Sequence, residues 1–410
     1  MLITNIKYLV NIREENKLLR GNALAELPIL ENAFLKIEDG KIVDYGSMGG
    51  LSEEDFSQPV YDARGAAVLP TWCDSHTHLI YAASREDEFV DKIKGLSYAE
   101  IAAKGGGIQN SAGKLNETPE EILLIQAQTR LNELMQLGTG AIEIKSGYGL
   151  SMEGELKMLR VIRKLKNNNS IPIKATFLGA HAFPEIFRQD REKYIQLIIE
   201  DMLPAIAQDN LADFIDVFCE QGFFTQQETE RICLAGIEFG LRPKIHANQL
   251  YNSGGVQAGY HMHALSVDHL ETIGEEEIKI LAHADAPIAT LLPTAAFFLR
   301  MQYPPARTLI NNNAAIALAS DYNPGSSPSG NMNFVVALSC IQMKLLPEEA
   351  VNAATINAAH AMQVEDEMGS ISKGKRASLI FTKPIHSIAS LAYHFSSNQI
   401  DKIMLNGSFI

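Results

Sequence analysis

The chain has 410 residues, 46% of them hydrophobic and 20% charged, with a formal net charge of −14. This is the composition of a soluble globular protein with material for a large core, and with no basic block to offset the charge it speaks against nucleic-acid and membrane partners. No apolar run reaches the roughly 20 residues of a membrane helix, the first seven residues do not read as a signal peptide, and the four cysteines are scattered, so a cytoplasmic protein with reduced thiols is expected.

Residues 1–62 read as short strands and turns, including a hairpin of 33–37 and 41–43 around Gly40. Apolar, strand-like runs follow at 66–72, 139–144, 171–177, 212–218, 242–246, 264–268, 286–292 and 314–319. Helical stretches are expected between them at 119–137, 152–166, 191–207, 226–239, 275–284 and 331–343. The first of these has Thr118 as its N-cap and Pro119 at its first position. After a helical stretch at 348–362, residues 378–381 and 402–405 again read as strands. The alternation predicts an α/β protein, a (β/α)8 TIM-type barrel. The two ends are expected to meet in a small β-sandwich domain, with domains at 1–64, 65–364 and 365–410. Gly105-Gly106-Gly107 is a flexible stretch that could hinge a lid, and no lysine-serine follows it to make a phosphate loop.

A parallel barrel places its active site at the C-terminal ends of the strands. Directly after the first apolar run stands Asp74-Ser75-His76-Thr77-His78. In extended chain, positions i and i+2 share a face, so His76 and His78 point the same way. The later strand exits supply Lys145 and Tyr148, His181, Glu220, His246, His269 and Asp321. A random scatter of 11 histidines would not put five at these exits. Within that cluster, His76, His78, His246 and Asp321 suit one zinc or iron ion with a position left for water. Asp321 could also take the water's proton, and His269 could share it or bond the attacked oxygen. Either His246 or His269 alone would read as a core histidine.

Arg85, in a polar loop after His78, has the fork geometry that suits a substrate carboxylate. A surface ion pair with Glu86 or Asp87 is the alternative. Tyr148 lies between glycines at a strand exit, and Asn323-Pro324-Gly325-Ser326-Ser327-Pro328 is a stiff turn-rich loop just after Asp321. The basic stretch 160–166 reads as a solvated helix face.

These residues resemble the amidohydrolase superfamily of metal-dependent barrel hydrolases, and within it the imidazolonepropionase family. The likeness lies in His76-Thr77-His78, Ser84-Arg85-Glu86-Asp87-Glu88-Phe89, Gly105-Gly106-Gly107-Ile108 and 143–150 (EIKSGYGL). It continues through 176–181 (TFLGAH), Lys244-Ile245-His246-Ala247, Asp268-His269-Leu270, 289–293 (ATLLP) and 321–328 (DYNPGSSP). The resemblance implies hydrolysis of 4-imidazolone-5-propanoate to N-formimidoyl-L-glutamate in histidine degradation. It also implies metal ligation by His76, His78, His246 and Asp321. Substrate binding is implied for Arg85, Tyr148, His181, Gln249, Asn323, Gly325 and Ser326.

Two positions depart from the family pattern. Gln249 stands where some relatives carry glutamate, and a neutral amide cannot act as a general base, so the proton work falls to Asp321 with His269. Ser320 stands where threonine is expected, a small change. Three readings stay open at this point: the imidazolone hydrolase, another cyclic amidohydrolase or deaminase on the same scaffold, and a non-catalytic binding protein. For assembly, a homodimer is the symmetric default.

Overall fold

The computed structural model describes residues 1–96, 100 and 104–410. Eight parallel strands follow one another in sequence order: Trp72–Asp74, Thr139–Lys145, Ile173–Ala180, Phe214–Cys219, Arg242–Ala247, Ser266–His269, Ile288–Leu291 and Ile316–Leu318. Nearly all their residues are buried, which is why they read as largely apolar runs without a polar face. The ring closes just past the first and last strands. There Thr77 bridges Tyr322, Asp321 N donates to His76 O at 3.0 Å, and His78 N donates to Tyr322 O at 2.9 Å. The closure therefore carries three of the expected ligands.

The chain ends build a separate eight-stranded sheet from Leu2–Val10, Ile29–Glu38, Lys41–Ser47, Val60–Asp62, Ala67–Pro70, Leu379–Thr382, Ile400–Leu405 and Ser408–Phe409. The hairpin of Ile29–Glu38 and Lys41–Ser47 turns through Asp39 and Gly40. Both faces of the sheet are covered. Leu379, Phe381, Val68 and Met404 enter its own core, while the alternate residues Ile380, Leu69, Ile403 and Leu405 pack into the barrel's core.

The expected first strand at 66–72 is two strands in two sheets. Ala67–Pro70 pairs with Leu2–Val10 and Leu379–Thr382, and the barrel starts only at Trp72–Asp74. Backbone bonding changes sheet between neighbours: Thr71 N donates to Ser378 O and Trp72 N to Gly138 O. The expected N-cap is also one residue early. Pro119 occupies the cap of Glu120–Gln136, because the Thr118 hydroxyl donates back to Lys114 O at 2.7 Å and closes the preceding helix, Gly107–Glu117. The 191–207 helix contains a π-helical turn at Leu197–Met202. The 348–362 helix breaks at Thr355, whose ψ is −90°. Of the triple glycine expected as a lid hinge, Gly106 is the N-cap and Gly107 the first residue of Gly107–Glu117. Among the described residues, no helix is long and apolar enough to cross a membrane.

Candidate metal centre and substrate pocket

His76, His78, His246, His269 and Asp321 converge at the C-terminal mouth of the barrel. One potential ligand atom each from His76, His78 and Asp321, and likewise from His76, His246 and His269, lies within 4.8 Å of the others. Asp321 Oδ1 is 3.6 Å from His76 Nε2 and 3.5 Å from His78 Nε2. His78 Nε2 and His246 Nε2 approach to 3.4 Å. The far side of each deeper ring is held by a carboxylate: His76 Nδ1 is 2.6 Å from Asp268 Oδ2, and His246 Nδ1 is 2.9 Å from Asp216 Oδ2. In His76 that bond occupies Nδ1 and leaves Nε2 with its lone pair directed at the centre.

The electrostatics keep these rings neutral. Burial pushes His76 and His78 well below the usual histidine range. Burial likewise takes His246 to about 3, although Asp216 pulls the other way, and His181 to about 4. Burial also works against a charged His269, but Glu271, Asp321 and Asp268 outweigh it and raise its pKa. For Asp321, burial raises the carboxyl to about 6, opposed by His269. The backbone is under tension in the same place. His269 and Asp321 have φ of 89° and 52°, in the left-handed region that side chains avoid.

This donor set fits a first-row divalent metal. His76 Nε2 is buried without a hydrogen-bond partner, and several neutral imidazoles with one carboxylate are what zinc or ferrous iron accepts. His269 offers an additional ligand atom beyond the four expected from sequence.

A cavity of about 620 Å³ opens over the centre, lined by His78, His246, His269 and Asp321. Arg85, Tyr148, His181, Gln249, Asn323, Gly325 and Ser326 line the same cavity. The alternative reading of Arg85, a surface pair with Glu86 or Asp87, is not what is found. Arg85 Nε donates to Ser111 Oγ at 2.9 Å, Glu88 is 3.9 Å away, and the guanidinium carbon sits 5.8 Å from the Tyr148 ring centre. Gly325 permits this placement, since a Cβ there would lie 2.6 Å from Arg85 Nη1. His181 stacks on His78 with 5.2 Å between ring centres and is anchored through Nδ1 to Gly147 O at 2.9 Å.

The loop that presents Tyr148 is tied to a buried carboxylate that sequence reasoning missed. Glu155 accepts from the backbone N–H groups of Gly147, Gly149 and Leu150 at 2.9, 2.7 and 2.9 Å. The chain passes so close that a Cβ on Gly149 would lie 2.3 Å from Glu155 N. After the last strand, Asn323 Oδ1 accepts from Gly325 N and Ser326 N, and Ser326 Oγ donates to Asp321 Oδ2 at 3.1 Å. Ser320 Oγ donates to Asp74 Oδ2 at 2.5 Å, a bond a threonine hydroxyl would also supply.

Two strand-exit candidates do not face the cavity. Glu220 is consumed by the next loop, accepting from Leu250 N at 2.8 Å, Tyr251 N at 3.3 Å and the Ser253 hydroxyl. Lys145 is fully buried inside the barrel against Glu143 and Asp216. Lys92, not singled out from the sequence, does line the cavity and donates to Gly325 O at 3.2 Å. Its signal is position: it shares the helix Glu86–Ile93 that Arg85 caps.

Residues 238–410 match the model of the amidohydrolase family. Imidazolonepropionase of Flavobacterium johnsoniae is 55% identical over 100% of this chain and 99% of its own length. That of Alkaliphilus metalliredigens is 38% identical over 100% of this chain and 97% of its own. Among solved structures, 5-methylcytosine deaminase of Klebsiella pneumoniae superposes with a TM-score of 0.75 at 14% identity, covering 100% of this chain and 98% of that one. A zinc-bound adenosine deaminase of Xanthomonas campestris gives 0.71 at 15%, covering 100% and 92%. The deaminases share the fold alone, whereas the full-length relatives share the sequence. The chain belongs to the imidazolonepropionase family of amidohydrolases.

Proposed function

We propose that this chain hydrolyses the ring amide of 4-imidazolone-5-propanoate to give N-formimidoyl-L-glutamate. The observation that carries this reading is one cavity that joins the imidazole–carboxylate cluster to Arg85, in a chain whose full-length relatives bear that enzyme name.

His76, His78, His246 and Asp321 would hold one zinc or iron ion, with His269 beside them. Such an ion supplies Lewis acidity, polarising the carbonyl and bringing the pKa of water toward roughly 7. Arg85 binds the propanoate carboxylate through its free guanidinium N–H groups, and Tyr148 and His181 pack on the ligand. Gln249, Asn323, Gly325 and Ser326 offer neutral polar groups to the ring. Water attacks the ring carbonyl carbon, and its proton goes to Asp321 Oδ2, the oxygen turned toward Ser326. His269 donates a hydrogen bond to the carbonyl oxygen as charge builds there. The carbon–nitrogen bond then breaks, the ring nitrogen takes a proton from Asp321, and the water oxygen remains in the new carboxylate. Gln249 takes no proton, since its amide has no basic lone pair at neutral pH.

The cytoplasm suits a reaction on a small metabolite by a chain with free cysteines. A homodimer is the assembly we propose, supported by exposed Phe89, Val90, Ile93 and Phe297 close to the cavity mouth.

The test is incubation of purified protein with freshly made 4-imidazolone-5-propanoate and, separately, with guanine and adenosine. Mass spectrometry should find N-formimidoyl-L-glutamate from the first and no deaminated purine. A deaminated product without ring opening would overturn the assignment.

A further inference from the structure

Beneath the imidazoles, five charged side chains are buried in the barrel: Glu143, Lys145, Asp216, Lys244 and Asp268. Lys145 Nζ donates to Glu143 Oε1 at 2.5 Å and Asp216 Oδ2 at 2.8 Å, and lies 3.8 Å from Asp268 Oδ2. Lys244 Nζ also contacts Glu143, lies 4.0 Å from Asp268 Oδ2 and donates to Ser75 O at 2.8 Å. Each aspartate faces upward onto one ring. Asp216 meets His246 Nδ1 at 2.9 Å and accepts from its backbone N–H at 3.0 Å. Asp268 meets His76 Nδ1 at 2.6 Å and accepts from Ser266 Oγ at 2.5 Å.

A buried ion cluster is a poor source of stability, because desolvation cancels much of its attraction. Its value lies in fixing geometry. A histidine ligand needs its second nitrogen bonded to a fixed acceptor, which sets the tautomer and the ring plane. Here one ammonium group serves both acceptors, hydrogen-bonded to Asp216 and paired at 3.8 Å with Asp268. The charges add a second argument. Three carboxylates against two lysines leave one net negative charge in the layer, and Asp321 adds another above it. The excess is negative and so favours a cation at the centre.

We propose that Lys145 is a positioning residue for metal binding. By clamping Asp216 and Asp268 it aims the Nε2 atoms of His246 and His76 at the centre, and with Lys244 it sets the layer's charge. The inference rests on the metal reading above and extends it to residues that touch neither metal nor substrate.

The double substitution Glu143→Gln with Lys145→Met removes one charge of each sign and so keeps the layer's net charge. Affinity for Zn2+ and Fe2+ is measured by competition with a chromophoric chelator, and circular dichroism reports the fold. The folded double variant should bind metal about 10- to 100-fold more weakly, the usual effect of losing a ligand's supporting partner. Wild-type affinity in the folded variant would overturn the inference. If the double variant does not fold, Lys145→Gln decides, since loss of the positive charge alone would tighten cation binding whereas loss of positioning weakens it. Several-fold weaker metal binding supports the inference, and unchanged or tighter binding overturns it. Wild-type protein that takes up neither ion would overturn the metal reading itself, which is a different result from wild-type binding with unaltered variants.

Discussion

Asp268 Oδ2 sits 2.6 Å from His76 Nδ1, while Nε2 of the same ring is buried with no protein partner. A buried polar atom left unpaired costs about 1–3 kcal/mol, so an unpaired nitrogen among other imidazoles is the mark of a ligand position. His246 faces the same centre, with Nδ1 2.9 Å from Asp216 Oδ2 and Nε2 3.4 Å from His78 Nε2. His246→Ala should lower bound metal from one ion per chain to near zero and reduce turnover to background. Its far-ultraviolet circular dichroism should stay close to wild type. Full metal content in this variant would contradict the ligand assignment.

Arg85→Ala removes the guanidinium that faces the cavity. Loss of a charged hydrogen bond costs about 1.5–3 kcal/mol, which corresponds to a KM increase of roughly 10- to 100-fold. The effect on kcat should be smaller, since Arg85 is assigned to the carboxylate and not to the reacting carbonyl. Steady-state kinetics separate the two, and an unchanged KM would sink the role.

Gly325→Ala tests the same contact without touching the arginine. The added methyl would stand 2.6 Å from Arg85 Nη1, so the guanidinium must move. KM should rise in the direction of the Arg85→Ala value with little loss of stability, because the far end of a flexible side chain yields. Wild-type KM would show that Arg85 need not sit where it does.

Gly149→Ala should behave differently. Its Cβ would lie 2.3 Å from Glu155 N and 2.3 Å from Gly154 C, both backbone atoms that cannot step aside. Overpacking of this kind costs typically 1–3 kcal/mol, with Tyr148 displaced as well. Urea unfolding should find a lower midpoint and kinetics a higher KM. A wild-type midpoint would contradict the tight loop around Glu155.

Lys375 gives a pH dependence away from the site. Its ammonium is buried, donating to Met368 O at 2.9 Å and Ser370 Oγ at 2.7 Å. Burial lowers its pKa from 10.5 to about 8, against the pull of Cys73, Asp366 and Glu365. Between those two values the unfolded chain holds more protons than the folded one, so this group makes stability rise with pH across the window. The slope is at most about 1.4 kcal/mol per pH unit. Lys375→Met lacks it, so wild type should gain on the variant between pH 8 and pH 10 in unfolding experiments. Parallel pH profiles would count against it.

Seven of the eight barrel strands are legible in the sequence because strands buried on both faces carry largely apolar runs. The first is not, since 66–72 is continuous in composition while its hydrogen bonds change sheet after Thr71. The strand-exit rule brings His76, His78, His246, His269 and Asp321 together, because each follows an apolar run. It misplaces Lys145, which belongs to the strand and points inward. The layer of Glu143, Asp216, Lys244 and Asp268 leaves a trace in the sequence as charges inside apolar runs, with Glu143 and Lys145, and Lys244 and His246, two residues apart. What joins them is register: Lys244 aligns with both Asp216 and Ser266, and His246 with Asp268. Register across strands cannot be read from one strand at a time.

Metal held at the barrel mouth by His76, His78, His246 and Asp321 is proposed to drive ring opening. The most direct measurement is elemental analysis of purified protein, paired with turnover of 4-imidazolone-5-propanoate before and after chelation. One zinc or iron per chain is predicted, with activity lost when it is stripped and regained in proportion to metal restored. Undiminished turnover by metal-free protein would contradict a metal-dependent reaction.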